Sequence, residues 1–343
     1  MNKHPTHSTF ARIMKSIAAT LALAAGVAQA TVAEPLTTVR FALDWTPNTD
    51  HTGLFVAIDK RYFKDAGIDV KVLPYNQTSP DALVSAGVAD FGTTFQDSVT
   101  FSIAAGAKVK SVFAVDQHWA SSIGVLASRT NITSPKQLDG MKFGGVGTPG
   151  ERAIVSQVIK NAGGKGDFKL ITLRSSYIEA LKQGTVDFAL PYMAWEGLEA
   201  KRAGKPVKYF KYTDYGFPDA YAVIVVSNPV WLKSHDALAH KFVAALQKGY
   251  EFAAEHPAEA AQILIKENPS AFQDKDFVVE SQKMLSPDYR DAQGHVGPQT
   301  LAQWSGLSGF LYKKGLLAGP DGKPLKSEPS WSDYFTNDYL AQH

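Results

Sequence analysis

The chain has 343 residues, 45% of them hydrophobic, and a single core rarely grows past about 250–300 residues, so the length predicts two lobes. It contains no cysteine, which excludes disulfide frameworks, thiolate metal sites, iron–sulfur clusters and a cysteine nucleophile. The formal charge is +2, but beyond residue 30 there are 32 basic and 33 acidic side chains. Such a near-neutral body argues against nucleic acid and against a basic membrane-binding surface.

The first thirty residues have the three-part pattern of a secretory signal. Lys3, Arg12 and Lys15 accompany an uncharged Ala- and Leu-rich run over 17–28, and residues 28–30 form a small-x-small cleavage pattern. The apolar run is too short for a permanent membrane-spanning helix, and the alternative is a buried N-terminal helix. We predict cleavage after Ala30 and export to a Gram-negative periplasm.

Strands and helices alternate over most of the remaining chain. The predicted strands are 39–43, 68–73, 90–94, 109–115, 123–128, 142–146, 169–173, 186–190 and 221–226. The predicted helices between them are 51–65, 80–86, 97–105, 151–162, 176–183 and 193–203. After Pro229 the periodicity predicts helices alone, over 233–256, 258–267, 275–285 and 298–313.

This order predicts an α/β fold with mainly parallel sheets, covered by helices on both faces, and a helical C-terminal section. We assign 31–125 and 224–343 to a first lobe and 126–223 to a second. Because no low-complexity linker is present, we expect extended crossing strands to join the lobes.

One motif, Gly145-x-Gly147-x-x-Gly150, has the spacing of a dinucleotide fingerprint after a predicted strand. The next predicted strand does not end in the acid that would hold a ribose, and Glu151 would oppose a pyrophosphate at the helix start. The motif therefore favours a glycine-rich turn where a small ligand approaches backbone amides, Gly147 among them.

Sequence signatures of hydrolases are missing from the chain, including G-x-S-x-G, S-x-x-K and H-E-x-x-H. His235 and His240 have a spacing that could suit a metal, but they lie on a helix rich in polar residues, so a solvated face explains them better. We expect neither a metal nor a cofactor.

Polar and aromatic side chains gather where predicted strands end, the usual ligand position in open α/β sheets. The candidates that follow strands are Trp45, Asn48, His51, Phe95, Gln96, Asp97, Tyr192, Trp195 and Glu196, and two more, Asp219 and Tyr221, belong to a segment that leads into the strand returning to the first lobe. Rings can stack on a ligand, and carboxylates accept its N–H groups, so the set suits a flat neutral heterocycle with ring donors. The alternative for Trp45 and Trp195 is a purely structural place in the core.

The segment Phe41–Ala57, followed by Arg61–Val70, resembles the substrate-binding proteins of ABC importers for thiamine precursors. These proteins lie within a broader class that also binds alkanesulfonates. Ala89–Gly92, Gly144–Glu151 and Trp195–Gly197 fall in the family's order, and the resemblance runs from about residue 37 to the last helices. It implies a clamshell like the type II periplasmic binding proteins.

The resemblance further implies a thiamine pyrimidine as ligand, such as a formylated aminopyrimidine, and no catalysis. Trp45 would stack on its ring. Polar contacts would come from Asn48, Gln96 and Asp97 on the first lobe and from Glu151, Glu196 and Asp219 on the second. The expected partners are a membrane permease and its ATPase, and we expect a monomer.

The chain also departs from its relatives. Eukaryotic pyrimidine synthases of this family use a cysteine-rich loop and a histidine after the Ala-Asp-Phe-Gly strand, and neither is present here. Glu151 argues against phosphorylated ligands, and Asp50 replaces the usual amide. The alternatives left open are another heterocyclic vitamin precursor, an alkanesulfonate, or a pyrimidine-acting enzyme.

Overall fold

The computed structural model describes residues 35–147, 149–173 and 176–341. The predicted export signal and its cleavage site lie outside these residues. None of the helices in the described ranges is long and apolar enough to cross a membrane.

Ten strands are formed by the described residues. In chain order they are β1 (Thr37–Ala42), β2 (Ile68–Leu73), β3 (Phe91–Phe95), β4 (Lys110–Ala114), β5 (Ile123–Leu126), β6 (Lys142–Gly145), β7 (Lys169–Thr172), β8 (Phe188–Ala189), β9 (Val207–Phe210) and β10 (Val223–Ser227). The first sheet has the order β2-β1-β3-β10-β4, and the second has the order β7-β6-β8-β5-β9.

Helices cover both sheets and continue after the last strand. They are α1 (Thr52–Asp59), α2 (Tyr62–Asp65), α3 (Pro80–Ser85), α4 (Gln96–Ala104), α5 (Pro149–Asn161), α6 (Tyr177–Lys182), α7 (Leu198–Arg202), α8 (Pro229–Ser234), α9 (Asp236–Glu255), α10 (Pro257–Glu267), α11 (Lys275–Leu285) and α12 (Leu301–Lys313). A π-helical turn, Met193–Gly197, leads directly into α7. The α/β class and the helical C-terminal section are thus confirmed.

Four of the five strands in each sheet run in the same direction, as predicted, but each sheet is mixed because it contains one reversed strand. β10 runs antiparallel to β3 and β4, and β5 runs antiparallel to β8 and β9. Both reversed strands adjoin the segments that cross between the sheets, which connect β4 to β5 and β9 to β10. Strand direction follows from these crossings and not from the apolar pattern of a single segment.

Two local predictions also need correction. The helix expected over 51–65 is divided, because Arg61 takes a left-handed conformation with φ of 65° between α1 and α2. The apolar spacing continues across this break, so the periodicity does not reveal it. β9 was not predicted at all; it is a short edge strand paired with β5 alone.

The core behind the first sheet brings α1 against α9 at a pair of glycines. A Cβ atom on Gly249 would lie 2.1 Å from the carbonyl oxygen of Gly53, and one on Gly53 would lie 2.2 Å from the ring of Tyr250. Only glycine permits this approach of two helices. Because α1 begins directly after the loop that follows β1, the contact fixes the position of that loop.

Candidate functional site

A cleft lies between the carboxyl ends of strands from both sheets and encloses about 1520 Å³, including its open mouth. We call its two sides the first wall (Asp44–Asp50, Phe95 and Asp97) and the second wall (Val146, Glu151 and Leu190–Glu196). Other residues that line it include Tyr75, Thr78, Ser98, Trp119, Ser121, Ile154, Tyr177, Tyr212 and Ala222.

The loop after β1 is held by hydrogen bonds within itself and to the strand beside it. The Asn48 side chain accepts from the Asp50 amide at 2.8 Å, and the Asn48 amide donates to Nδ1 of His51 at 3.2 Å. Nε2 of His51 therefore carries the proton and donates to Asp44 at 2.8 Å. The Asp44 amide in turn donates to the Thr93 hydroxyl at 3.1 Å. His51 is fully buried, so it orients the first wall from below.

Five carboxylates line the cleft, and no Lys, Arg or His is among the described residues that line it. The acids are Asp44, Asp50, Asp97, Glu151 and Glu196. Burial raises the pKa of Asp97 to about 6 and that of Glu196 to about 7. Burial, together with the charge of Asp44, also raises the pKa of Asp50 to about 7. Because three of the five acids lose their protons only near pH 6–7, the negative charge of the cleft, which favours hydrogen-bond donors and cations over anions, grows as the pH rises through this range.

A further acid, Asp116, lies near Asp50 and is fully buried. Neither of its carboxylate oxygens has a hydrogen-bond partner in the part of the chain that the structure describes. Burial and the charge of Asp50 raise its pKa well above the ordinary value. Both effects favour the neutral form of Asp116 over its carboxylate.

Aromatic side chains occupy both walls. The rings of Trp45 and Tyr75 are 5.3 Å apart and tilted by 49°, and those of Phe95 and Tyr192 are 6.1 Å apart, so this second pair joins the two walls. Trp195 packs edge-on against Phe277 of α11 at 4.8 Å. Trp195 therefore combines a place on the cleft with a structural contact.

The carboxylates of the second wall cover backbone amides at helix starts. Glu151 accepts from the Val146 amide at 3.1 Å and from the Gly147 amide at 2.8 Å. Glu196 accepts from the Tyr192 amide at 3.0 Å. The amides that the glycine motif was expected to offer to a ligand donate to Glu151 instead, so that expectation is corrected.

The structure brings most of the predicted site residues together. Those that line the cleft are Trp45, Asn48, Phe95, Asp97, Glu151, Tyr192, Trp195 and Glu196. Those that do not are His51, Gln96, Gly147, Asp219 and Tyr221.

Gln96 and Tyr221 instead connect a crossing segment to neighbouring helices. The Gln96 side chain accepts from the Tyr221 amide at 2.9 Å and donates to the Gln303 carbonyl at 3.2 Å. The Tyr221 hydroxyl accepts from the Thr300 amide at 2.7 Å. Both side chains are buried, and it is their chain neighbours Phe95 and Ala222 that line the cleft.

Asp219 and Gly147 also have structural places. Asp219 pairs with Nδ1 of His118 at 2.5 Å, which joins the two crossing segments at the surface. Gly147 has a φ of 90°, which suits glycine, and its amide donates to Glu151.

Sequence reasoning missed several residues that line the cleft, and some of them carry a usable signal. Tyr75 follows the end of β2, so the strand-end rule applies to it as well as to Trp45. Tyr177 and Tyr212 stand at the starts of helical turns, positions that the strand-end rule does not cover.

In the described part of the chain, no three His, Cys, Asp or Glu side chains are placed to hold a metal ion. The arrangement can do two things chemically. It can stack a flat ring between aromatic side chains, and it can accept hydrogen bonds from several donors at once.

Comparisons with known proteins agree with this geometry. A family model described as NMT1/THI5 like matches residues 48–260. The formylaminopyrimidine-binding protein of Halalkalibacterium halodurans is 29% identical over 285 residues, which are 81% of this chain and 86% of the relative. The 4-amino-5-hydroxymethyl-2-methylpyrimidine phosphate synthase THI13 of Saccharomyces cerevisiae is 24% identical over 88% of each chain.

Among solved structures, the alkanesulfonate-binding protein SsuA from Xanthomonas axonopodis pv. citri, bound to MOPS, superposes with a TM-score of 0.64. It is 13% identical and is matched over 90% of this chain and 99% of its own. This likeness confirms the periplasmic binding protein fold that the sequence predicts, and at this identity it concerns the fold alone.

Proposed function

The chain belongs to the NMT1/THI5-like family, and on that premise we propose that it is the solute-binding protein of an ABC importer for a thiamine precursor. Its ligand is an aminopyrimidine like the one in the name of the Halalkalibacterium halodurans relative. The ligand is captured in the cleft and delivered to a membrane permease that a cytoplasmic ATPase drives.

The observation that carries this proposal is the lining of the cleft, which combines aromatic rings with five carboxylates and has no basic side chain among the described lining residues. An aminopyrimidine is flat and carries exocyclic N–H donors. Rings contribute about 0.5–1.5 kcal/mol per stacked pair beyond area burial, and carboxylates accept the N–H groups. A sulfonate or phosphate would meet negative charge on both walls.

The placement of the lining residues supports a role for each of several side chains. Trp45 stacks on the pyrimidine with Tyr75 at its edge, and Asn48 and Asp97 accept or donate hydrogen bonds from the first wall. Glu196 accepts an N–H from the second wall. A micromolar dissociation constant corresponds to about −8 kcal/mol, which these contacts can supply.

We further propose that each sheet, with its helices, forms a lobe and that the lobes close on the ligand about the two crossing segments. The expected lobes are 31–125 with 224–343, and 126–223. Ligand contacts made to both walls stabilise the closed form, so binding selects it. Export to the periplasm, with the signal removed after Ala30, brings the protein to the outer face of its permease, where a monomer suffices.

Binding without turnover is also part of the proposal, although yeast relatives are named as synthases. Calorimetric titration of protein isolated from the periplasm of an expression host tests binding. The panel is formylaminopyrimidine, hydroxymethylpyrimidine, its phosphate, thiamine and methanesulfonate. We expect saturable binding of an unphosphorylated pyrimidine only, and a ligand at 100 times its dissociation constant should stabilise the fold by about 2.7 kcal/mol.

Mass spectrometry of the ligand after long incubation tests the absence of turnover, and the ligand should be recovered unchanged. Binding of methanesulfonate alone would overturn the choice of ligand and keep the importer role. A converted pyrimidine would replace the binding protein with an enzyme.

A further inference from the structure

We propose that Glu151 is a specificity-determining residue, whose carboxylate occupies the anion-binding position at the start of α5 and thereby excludes anionic ligands from the cleft. The inference rests on the proposed binding function and concerns how that function rejects the wrong ligand.

The start of α5 has the properties of an anion site. α5 spans thirteen residues, so its aligned peptide dipoles place a partial positive charge at its first turn. The amides of Val146 and Gly147 point into the same space and would suit a phosphate or sulfonate oxygen. In this protein the two oxygens of Glu151 accept from them at 3.1 and 2.8 Å.

The backbone before α5 is shaped to admit this carboxylate. A Cβ atom on Gly145 would lie 2.9 Å from Oε2 of Glu151, so a larger residue would push the carboxylate away. Gly147 turns the chain with a φ of 90°, which brings its amide toward the same oxygen. Two of the glycines that resemble a nucleotide fingerprint thus accommodate a side chain of the protein itself.

The location of α5 makes this occupancy relevant to ligands. A Cβ atom on Gly150 would lie 2.9 Å from the Phe101 ring and 3.6 Å from Oδ2 of Asp97. The first turn of α5 therefore packs against α4, the helix that follows β3 of the first sheet. This contact lies where the two walls meet. An anion that displaced Glu151 would still face Asp97.

Two other positions in the cleft follow the same pattern. Glu196 covers the Tyr192 amide, and the Asn48 side chain covers the Asp50 amide. Acceptors of the protein itself thus satisfy backbone donors on both walls. A ligand must then bring donors rather than charged acceptors, which is the chemistry of an aminopyrimidine.

The test is a gain of anion binding. Glu151→Ala removes the occupant and uncovers both amides, and Glu151→Gln keeps one acceptor oxygen while losing the charge. Glu179→Gln on α6 is the matched control, because Glu179 is absent from the lining of the cleft, so the change removes one negative charge and leaves the Val146 and Gly147 amides covered. Each full-length protein, processed by the host, is titrated with methanesulfonate at pH 8 and low salt, and its unfolding midpoint is measured in parallel.

We expect Glu151→Ala to bind methanesulfonate about tenfold more tightly than the wild type, with a smaller gain for Glu151→Gln and none for Glu179→Gln. If Glu151→Ala does not fold, the gain in methanesulfonate affinity of Glu151→Gln alone tests the assignment. Equal gains in Glu179→Gln and Glu151→Ala would reduce the effect to net charge and overturn the assignment, as would no gain in a folded Glu151 variant.

A parallel titration with formylaminopyrimidine separates this inference from the proposed function. Wild-type protein that binds the pyrimidine while the Glu151 variants gain no methanesulfonate contradicts the inference alone. Wild-type protein that binds no pyrimidine contradicts the proposed function, whatever the variants do.

Discussion

The two walls of the cleft present similar side chains but are held in different ways. On the first wall, the Asp50 carbonyl accepts from the Tyr250 hydroxyl of α9 at 2.7 Å, and the Thr49 hydroxyl pairs with Ser281 of α11 at 2.8 Å. On the second wall, Glu151 and Glu196 bind amides of their own helix starts. The first wall has contacts to the helices packed behind it in addition to its own local hydrogen bonds, whereas the carboxylates of the second wall are held locally.

This difference has a consequence for how each wall can change. A substitution in the core should disturb the first wall together with the stability of the whole protein. A substitution in the second wall should change ligand preference at little cost in stability. With this division, the first wall would define where the ligand ring stacks, and the second wall would determine which polar groups of a ligand are accepted.

The largest effect should come from Gly249→Ala, which acts on the first wall from behind. The added Cβ would lie 2.1 Å from the Gly53 carbonyl oxygen, so α9 must move away from α1. Overpacking of this kind typically costs 1–3 kcal/mol, and we expect about 3 kcal/mol of unfolding free energy in chemical denaturation, together with weaker pyrimidine binding.

Gly306→Ala in α12 is the control, because its Cβ would meet only Pro218 at 3.4 Å. It should leave stability unchanged or raise it slightly, since alanine favours helices over glycine. If Gly249→Ala proved as stable as this control, the first wall would not depend on the contact between α1 and α9.

The second-largest effect should come from Trp45→Ala, which tests whether this side chain of the first wall contacts the ligand or only packs in the core. Trp45 is half-buried and contacts Tyr75, so Trp45→Ala should remove the stacking surface and leave the core intact. Loss of the stack and of its buried area should weaken pyrimidine binding about 100-fold by calorimetry. The melting temperature without ligand should hardly move. An equal loss of ligand-free stability would make Trp45 a core residue instead.

A pH series should distinguish the protonated from the ionised state of Glu196 on the second wall. Folding raises the pKa of Glu196 from 4.5 to about 7, so the folded chain holds a proton that the unfolded chain releases in this window. The contribution of Glu196 to the unfolding free energy therefore falls as the pH rises from about 4.5 to 7. Ligand donors require the ionised carboxylate, so affinity should rise about tenfold or more between pH 5 and pH 8.

Glu196→Gln should flatten both profiles, as measured by denaturation and by titration across this range. Glu179→Gln on α6 is the matched control, because Glu179 is absent from the lining of the cleft and pairs with Lys182. The asymmetry between the walls would weaken if the control flattened the affinity profile equally.

Strand geometry explains how much of the site the sequence could predict. The carboxyl ends of parallel strands meet at one edge of a sheet, so the strand-end rule found Trp45, Phe95 and Tyr192. The rule gives the location of a residue and not the direction of its side chain. Gln96 stands beside Phe95 yet points into the protein, where its partners Tyr221 and Gln303 come from distant parts of the chain.

The fold, like the site, could be predicted from the sequence only in part. The apolar periodicity predicted α11 to the residue and β2 likewise, because burial on one face determines both. It could not predict the direction of β5 and β10, which depends on where the crossing segments lead the chain. It also missed the break at Arg61, since a left-handed residue leaves the apolar pattern intact.

The smallest effect tests how the second wall is attached to the first sheet's helices. Arg202 at the end of α7 pairs with Asp274 at 2.8 Å and with Glu280 at 3.2 Å, close to the packing of Trp195 on Phe277. Exposed ion pairs are worth little and are screened by salt, so Arg202→Ala should weaken pyrimidine binding only about two- to fivefold, and less at high salt. Lys266→Ala removes a comparable surface pair with Asp59 that lies on α10 and α1, away from the second wall. It should leave affinity unchanged at every salt concentration. Equal losses in the two variants would mean that the second wall gains nothing from its contact with α11 and is positioned by its own helices alone.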